Sequence, residues 1–238
     1  MKRIFDFVMA FFGLILISPV FAVVSVINKL TGNDVFFIQQ RVGENSKLFP
    51  LIKFATMDKD AHIVGGTITY ERDPRITRLG RLLRKSKINE LPQLINVLKG
   101  DMSFVGPRPL PSSEVSIYPP KVAKKIYSIK PGITGLASLY FHNEEMLLSR
   151  DKESAENTFR NTIMPKKAKL ELWYVDNRKL PLDLKLIIAT VLVVCIPSYS
   201  VLSFISKRLG GSEVQQKAEK VLEMQHELSS EDAPILRK

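Results

Sequence analysis

The chain has 238 residues, of which 45% are hydrophobic and 25% charged, and this composition excludes a disordered or low-complexity protein. Its 35 Lys and Arg residues exceed its 24 Asp and Glu residues, and the formal charge of +11 predicts a polyanionic partner: nucleic acid, a phosphorylated substrate or an anionic membrane lipid. The single cysteine, Cys195, excludes an intrachain disulfide and a cysteine metal cluster.

An apolar run over residues 4–27 is long enough to span the roughly 30 Å hydrocarbon core of a bilayer. It exceeds the roughly 7 to 15 apolar residues of a signal peptide, and no small-residue cleavage site follows it. Ser18 and Pro19 lie near two thirds of its length, where a proline removes a backbone donor and kinks a helix. Two topologies remain open: a kinked helix that crosses the membrane, and a re-entrant helix that breaks at this pair and returns.

The flanking charges favour the re-entrant topology. Basic residues precede the run at Lys2 and Arg3, and others follow it at Lys29, Arg41, Lys47 and Lys53. Because positive flanks stay in the cytoplasm, both ends are predicted to lie at the cytoplasmic face of the inner membrane. We therefore predict a re-entrant membrane helix over residues 1–30, in which the Ser18 hydroxyl is a partner for the backbone groups that Pro19 frees.

The next segments predict a hairpin and then a basic helix. Residues 35–38 and 49–54 are apolar strands separated by a turn. From Arg72 to Arg84 arginine recurs every third residue among isoleucine and leucine, so one face can pack while the other meets headgroups or phosphates; a solvated basic face is the alternative. Stacking aromatics, a recognition-helix pattern and a zinc site are missing, which argues against nucleic acid.

A second apolar run covers residues 186–205 and is interrupted by Pro197 and Ser198. Basic residues flank it on both sides, at Lys185 and at residues 207–208. This pattern predicts an interfacial or shallow membrane helix over residues 181–208, with a second crossing as the alternative. Residues 31–180 are then a cytoplasmic domain, and residues 209–238 are a C-terminal appendage.

The most informative stretch covers residues 84–109. A polar pair, Asn89 and Glu90, stands beside an apolar helix, and Arg108 follows between two prolines. Rigid prolines fix the direction of the guanidinium, and a fixed guanidinium suits phosphate oxygens. On the residues alone, a purely structural arginine is an equal alternative.

Motifs over about residues 1–200 resemble, in order, those of the bacterial sugar transferases, also called monotopic phosphoglycosyl transferases. The motifs are KRIFD at 2–6, FFIQQRVG at 36–43, DPRIT at 73–77, ELPQL at 90–94, GDMS at 100–103, VGPRP at 105–109 and KPGITG at 130–135. This resemblance implies a mixed α/β, mostly helical fold, seated in the membrane by an N-terminal re-entrant helix and interfacial amphipathic helices.

The resemblance also implies a reaction, in which a sugar 1-phosphate passes from a nucleotide sugar, usually a uridine one, to polyprenyl (undecaprenyl) phosphate to initiate polysaccharide or glycoconjugate biosynthesis. In that family an Asp-Glu pair does the chemistry: the aspartate attacks the β-phosphate, and the glutamate helps hold Mg²⁺. Carried onto this sequence, the catalytic positions are Asn89, Glu90 and Lys53, and Mg²⁺ would be held by Glu90 and Glu171. The substrate-phosphate-binding positions are Arg108, Arg41, Lys130 and His142.

The sequence departs from the family at this pair, because Asn89 stands where the nucleophilic aspartate is expected and an amide has no anionic oxygen. His142 replaces an arginine and is positive only when protonated. One hypothesis is an active transferase in which Glu90, or direct attack by polyprenyl phosphate, replaces the nucleophile. A second is a pseudoenzyme that binds lipid phosphate or a partner transferase. A third is a membrane-bound structural or nucleic-acid protein outside this family's chemistry. A homo-oligomer also stays open.

Overall fold

A computed structural model of the chain describes residues 2–59, 73–142 and 152–196, and these form a mixed α/β, mostly helical fold, as predicted. The helices are α1 (Lys2–Leu30), α2 (Arg78–Lys85), α3 (Gln93–Lys99), α4 (Ser112–Val115), α5 (Pro120–Ile126), α6 (Leu136–Tyr140), α7 (Lys152–Thr158), α8 (Met164–Asn177) and α9 (Leu180–Cys195). The strands are β1 (Phe36–Val42), β2 (Leu48–Phe54), β3 (Ser103–Val105) and β4 (Gly132–Thr134). Short turns of 3₁₀ helix cover Glu44–Ser46 and Ile88–Glu90, and a π-helical segment, Phe159–Ile163, joins α7 to α8.

Helix α1 continues through Pro19, so the predicted break of the helix at Ser18 and Pro19 is corrected. Proline lacks the N–H that would otherwise bond to the carbonyl of Ile15, four residues earlier. The Ser18 hydroxyl donates to that same carbonyl at 2.8 Å, as the sequence predicted for the freed backbone group. This replacement bond explains how the helical path persists across the proline.

One side of α1 packs against the rest of the protein along its whole length. Near its start, Arg3 donates to the carbonyls of Val97 and Leu98 at the end of α3, at 2.6 and 2.8 Å. Near its end, Asn28 donates to the carbonyl of Ala55 just after β2, at 3.3 Å. The other side exposes large apolar residues, among them Ile4, Phe12, Ile15, Leu16, Val23, Val26 and Leu30. Among the described residues α1 is the one helix long and apolar enough to cross a membrane, yet both of its ends contact the same domain.

The predicted hairpin is confirmed, because β1 and β2 pair in antiparallel fashion across the Glu44–Ser46 turn. Asn45 has a φ of 55°, a left-handed conformation that asparagine tolerates better than most residues. The register places Phe37 opposite Lys53 and Phe36 opposite Phe54. The ring of Phe36 stacks on that of Phe54, with centroids 5.5 Å apart, and lies 6.4 Å from the ring of Phe21 in α1.

Strands β3 and β4 form a second, parallel pair that carries the loop containing Arg108. The loop begins at Gly106, where a Cβ atom would lie 2.4 Å from the carbonyl oxygen of Lys130. Only glycine permits this approach, so the loop packs directly against the segment leading into β4. Buried residues of α5, α8 and the π-helical segment, including Ile126, Leu172 and Phe159, form the core beside it.

The basic stretch forms α2, which Thr77 caps by accepting a hydrogen bond from the Gly80 N–H at 2.8 Å. Leu83 is buried, whereas Leu82 is largely exposed, so the helix has one packed face as the sequence predicted.

Helix α9 covers the first part of the predicted interfacial segment and begins earlier than the apolar run, at Leu180. The predicted interruption at Pro197 and the appendage over residues 209–238 lie outside the described residues.

Candidate active site

The carboxylate of Glu90 is the point at which three separate elements meet. Lys53, on β2, donates to Oε1 of Glu90 at 2.8 Å. Arg108, in the loop after β3, donates to the same oxygen at 3.2 Å. Glu90 itself ends the 3₁₀ turn before α3. Buried side chains of α3, such as Leu94 and Val97, hold this turn in place. The structure therefore brings together three residues that the sequence predicted for one site.

The two cations decide the charge state of Glu90. Burial alone raises the pKa of this carboxyl group, but the Lys53 ammonium and the Arg108 guanidinium outweigh it and hold the pKa well below its usual range. Burial lowers the pKa of Lys53 to about 8, although the Glu90 carboxylate opposes the change. At neutral pH the site therefore holds an ionised carboxylate between two positively charged side chains.

The backbone of Arg108 is held from both sides. Its N–H donates to Oε1 of Glu171 at 3.2 Å, and its carbonyl accepts from the Tyr127 hydroxyl at 3.0 Å. The preceding carbonyl, of Pro107, accepts from the Gly132 N–H at 2.9 Å. These bonds fix the peptide from which the guanidinium extends. The direction that the sequence attributed to two prolines therefore also depends on Glu171 of α8, on Tyr127 after α5 and on Gly132 of β4.

Arg41 adds a further cation to this cluster. Its guanidinium donates to the carbonyl of Pro109 at 3.4 Å and to the side-chain oxygen of Gln39 at 2.5 Å. Burial lowers the pKa of Arg41 to about 10, and the positive charge of Arg108 acts in the same direction. Its Nε is buried and has no hydrogen-bond partner within the described part of the chain. Three cations thus surround one paired carboxylate, an arrangement that favours binding of additional anions.

Two buried oxygens beside this cluster accept no hydrogen bond from any described residue. They are Oδ1 of Asn89 and Oε2 of Glu171. Glu171 is only 3% exposed, and burial raises its pKa to about 7. Such oxygens are available to a ligand, and hard cations such as Mg²⁺ bind oxygen.

Comparison with known proteins places this site in a family. A family model described as bacterial sugar transferase matches residues 1–197. The chain belongs to the bacterial sugar transferase family. This membership confirms both the resemblance and the prediction of a transferase.

Three relatives illustrate the range of the family. The "Uncharacterized sugar transferase EpsL" of Bacillus subtilis (strain 168) is 40% identical over 193 residues, which cover 80% of this chain and 85% of the relative. The "Exopolysaccharide production protein ExoY" of Rhizobium meliloti is 31% identical over 211 residues, which cover 82% of this chain and 85% of the relative. The "Undecaprenyl-phosphate galactose phosphotransferase" of Salmonella typhimurium is 38% identical over 159 residues, covering 60% of this chain but 33% of the relative.

Two residues assigned to phosphate binding from the sequence do not join the cluster of this sugar transferase. The Lys130 ammonium lies near Gly100 and the Arg3 guanidinium, at the end of α3. His142 follows α6, and its Nδ1 lies 3.1 Å from the carbonyl oxygen of Leu139. In the described part of the chain neither of them contacts the Glu90 carboxylate.

Some tertiary contacts of this sugar transferase, including one in the site, carried no signal in the sequence. Tyr127 is isolated between α5 and β4, and only folding places its hydroxyl on the Arg108 carbonyl. Lys2 and Arg3, which the sequence predicts as charges flanking the membrane segment, also make contacts that it did not indicate. Lys2 pairs with the buried Asp183 of α9, and Arg3 donates to a carbonyl at the end of α3.

Proposed function

We propose that this protein transfers a sugar 1-phosphate from a uridine diphospho-sugar to undecaprenyl phosphate, the first step in assembling an exopolysaccharide or another glycoconjugate. The observation that carries the proposal is the cluster of Lys53, Arg108 and Arg41 around Glu90. Fixed cations in a partly buried site stabilise the charge that develops during phosphoryl transfer. Relatives named as undecaprenyl-phosphate phosphotransferases support the same chemistry.

The residues present also fit Mg²⁺, which we propose as the cofactor. Glu90 and Glu171 would hold the ion together with the amide oxygen of Asn89. Oε2 of Glu171 and Oδ1 of Asn89 are buried and accept no hydrogen bond from described residues, which makes them suitable ligands. The described residues contain no group of three or more carboxylate, histidine or cysteine ligands, so the phosphates of the donor would complete the coordination. When bound, Mg²⁺ would offset negative charge on the diphosphate.

We further propose that α1 lies in the membrane as an unbroken monotopic helix, with both of its ends at the cytoplasmic face of the inner membrane. The support is that Arg3 at one end and Asn28 at the other both bond to the same domain, which a helix crossing the bilayer would not allow. Its apolar outer side would face lipid. The basic residues of α2, such as Arg81 and Lys85, would then lie near anionic headgroups.

The test is turnover by the purified full chain in nanodiscs. A panel of uridine diphospho-sugars would be supplied with undecaprenyl phosphate and Mg²⁺, and release of uridine monophosphate would be measured. We expect release with at least one donor and a loss of at least about 100-fold on Arg108→Ala, since a fixed cation contributes several kcal/mol to the transition state. Absence of release with every donor would reject the proposal.

A pseudoenzyme of the same fold is the second candidate, and Asn89 is the observation that favours it, since an amide cannot form an acyl phosphate. This candidate predicts binding of prenyl phosphate without release of uridine monophosphate. Asn89→Asp would then restore little activity.

A further inference from the structure

We infer that Phe37 forms the contact for the hydrocarbon of the lipid acceptor, next to the cations that receive its phosphate. This inference rests on the proposed function. A prenyl phosphate joins a charged head directly to an apolar chain, so its site requires an apolar surface that borders a cationic one.

The register of the hairpin creates such a border. Phe37 pairs with Lys53 across β1 and β2, and residues directly opposite each other in an antiparallel pair project from the same face. Gln39 and Arg41 follow on that face, because strand side chains alternate. Phe37 therefore stands at one end of a row that leads to Lys53 and Arg41, both in the cation cluster.

The exposure of Phe37 indicates that this apolar surface is unfilled. Its side chain is 44% exposed, although Lys53 opposite is largely covered. Phe37 is therefore not buried in the core of the domain, and its apolar surface is open to another molecule.

The position of β1 brings this surface to the apolar helix. Phe36, the preceding residue, packs against Phe21 of α1, so the strand begins at the helix that we propose to lie in the membrane. Phe37 therefore lies one residue from this helix contact, on the face of the strand opposite to Phe36. This position assigns the acceptor to the hairpin side of the site.

The chain offers a matched control in Ile38. It neighbours Phe37 on the same strand and is more exposed, at 60%, but it projects from the opposite face. Phe37→Ser and Ile38→Ser thus remove similar apolar surface from the two faces of β1. Phe37→Leu keeps an apolar side chain and removes only the aromatic ring.

The first experiment measures binding of farnesyl phosphate and of inorganic phosphate to each variant in nanodiscs of fixed lipid composition. We expect Phe37→Ser to raise the Kd for farnesyl phosphate about tenfold, as loss of one buried aromatic contact implies, with less than about a twofold change for inorganic phosphate. Phe37→Leu and Ile38→Ser should remain close to the unmodified chain. Equal losses in Phe37→Ser and Ile38→Ser would show a general bilayer contact and overturn the inference, as would no loss at all.

The second experiment measures turnover. Phe37→Ser should raise the KM for undecaprenyl phosphate and leave the KM for the nucleotide sugar unchanged. A raised KM for the nucleotide sugar in both Phe37→Ser and Phe37→Leu would show that the ring stacks on the base instead, which also overturns the inference. If the unmodified chain has no turnover, the proposed function fails, while the binding experiment still decides the role of Phe37.

Discussion

Glu171 accepts a hydrogen bond from the backbone N–H of Arg108 at 3.2 Å, so this buried carboxyl group supports the arginine that reaches Glu90. The sequence assigned Glu171 to Mg²⁺, and its second oxygen is free of hydrogen bonds from described residues. The two roles are compatible, because one oxygen holds the peptide and the other is available to a ligand.

Glu171→Gln separates the charge of this residue from its hydrogen bond. Burial raises the pKa of Glu171 from 4.5 to about 7, so the folded protein holds a proton that the unfolded chain releases in this range. The stability contributed by the protonated carboxyl group is complete below pH 4.5 and is lost as the pH rises through about 7. The unfolding free energy of the unmodified chain should therefore fall relative to that of Glu171→Gln over this interval. Denaturant unfolding of both proteins across it provides the measurement, and a constant difference would contradict the assignment.

Glu171→Ala is the companion variant, because it removes the acceptor as well as the charge. It removes the oxygen that accepts from the Arg108 N–H, which should cost about 1–3 kcal/mol of unfolding free energy. At low pH, where the Glu171 carboxyl group of the unmodified chain is neutral, Glu171→Gln should avoid most of this loss, since its amide oxygen can accept the same bond.

Deprotonation of Lys53 should lower the rate of the transfer reaction at alkaline pH. Burial lowers the pKa of Lys53 to about 8, so its ammonium loses its charge above that pH in the free protein. We expect kcat/KM for the nucleotide sugar to decline above about pH 8, with the decline absent in Lys53→Arg because arginine stays protonated. A pH–rate profile for each protein tests this, and an unchanged decline in Lys53→Arg would assign the titration to another group.

Ser18 and Pro19 should be energetically coupled. The Ser18 hydroxyl bonds to the Ile15 carbonyl that Pro19 leaves without an N–H partner. Ser18→Ala should destabilise the protein by about 1 kcal/mol. The same change should cost less in a Pro19→Ala background, where the alanine N–H can bond to that carbonyl. A double-mutant cycle of unfolding in detergent measures the difference, and equal costs in both backgrounds would exclude the coupling.

Asn89 predicts the absence of a covalent phosphosugar at that position. An amide cannot form an acyl phosphate, whereas Asn89→Asp would place a carboxylate beside Glu90 among the cations of the cluster. Intact mass should show no adduct on the unmodified chain after incubation with nucleotide sugar and Mg²⁺, and an adduct on Asn89→Asp. An adduct on the unmodified chain would reveal a different nucleophile.

The monotopic placement of α1 predicts that both of its ends react on the same side of the membrane. In a Cys195→Ser background, one cysteine would be introduced after Met1 and another, in a separate protein, at Asp34. A membrane-impermeant maleimide should label both in inverted vesicles and neither in intact spheroplasts. Labelling of one position in each preparation would instead demonstrate a crossing helix.

Much of the local structure could be predicted from the sequence because it depends on neighbouring residues. The apolar run, the hairpin and the basic helix follow from composition and spacing over a few residues, and the structure confirms each of them. Pro19 shows the limit of such reasoning: it predicts an interrupted helix, but a single hydroxyl one residue away compensates for the missing donor.

The chemical identity of the site residues is what the sequence determined by itself. Motifs with fixed spacing identified the family and marked Glu90, Lys53 and Arg108, whose side chains are chemically suited to phosphate. The sequence also placed Asn89 where an acid was expected, and no fold can change the chemistry of an amide.

Tertiary structure decided which charges share the site. Lys53 is 37 residues from Glu90 and Arg108 is 18 residues from it, and only the packing of β2 and the β3 loop against the 3₁₀ turn brings them within bonding distance. The same packing pairs Lys2 with Asp183 and Arg3 with the end of α3, and it places the Lys130 ammonium near Gly100, although their sequence context suggested membrane or phosphate. Charge–charge contacts between distant segments depend on distances of a few ångströms, and only the folded chain fixes those distances.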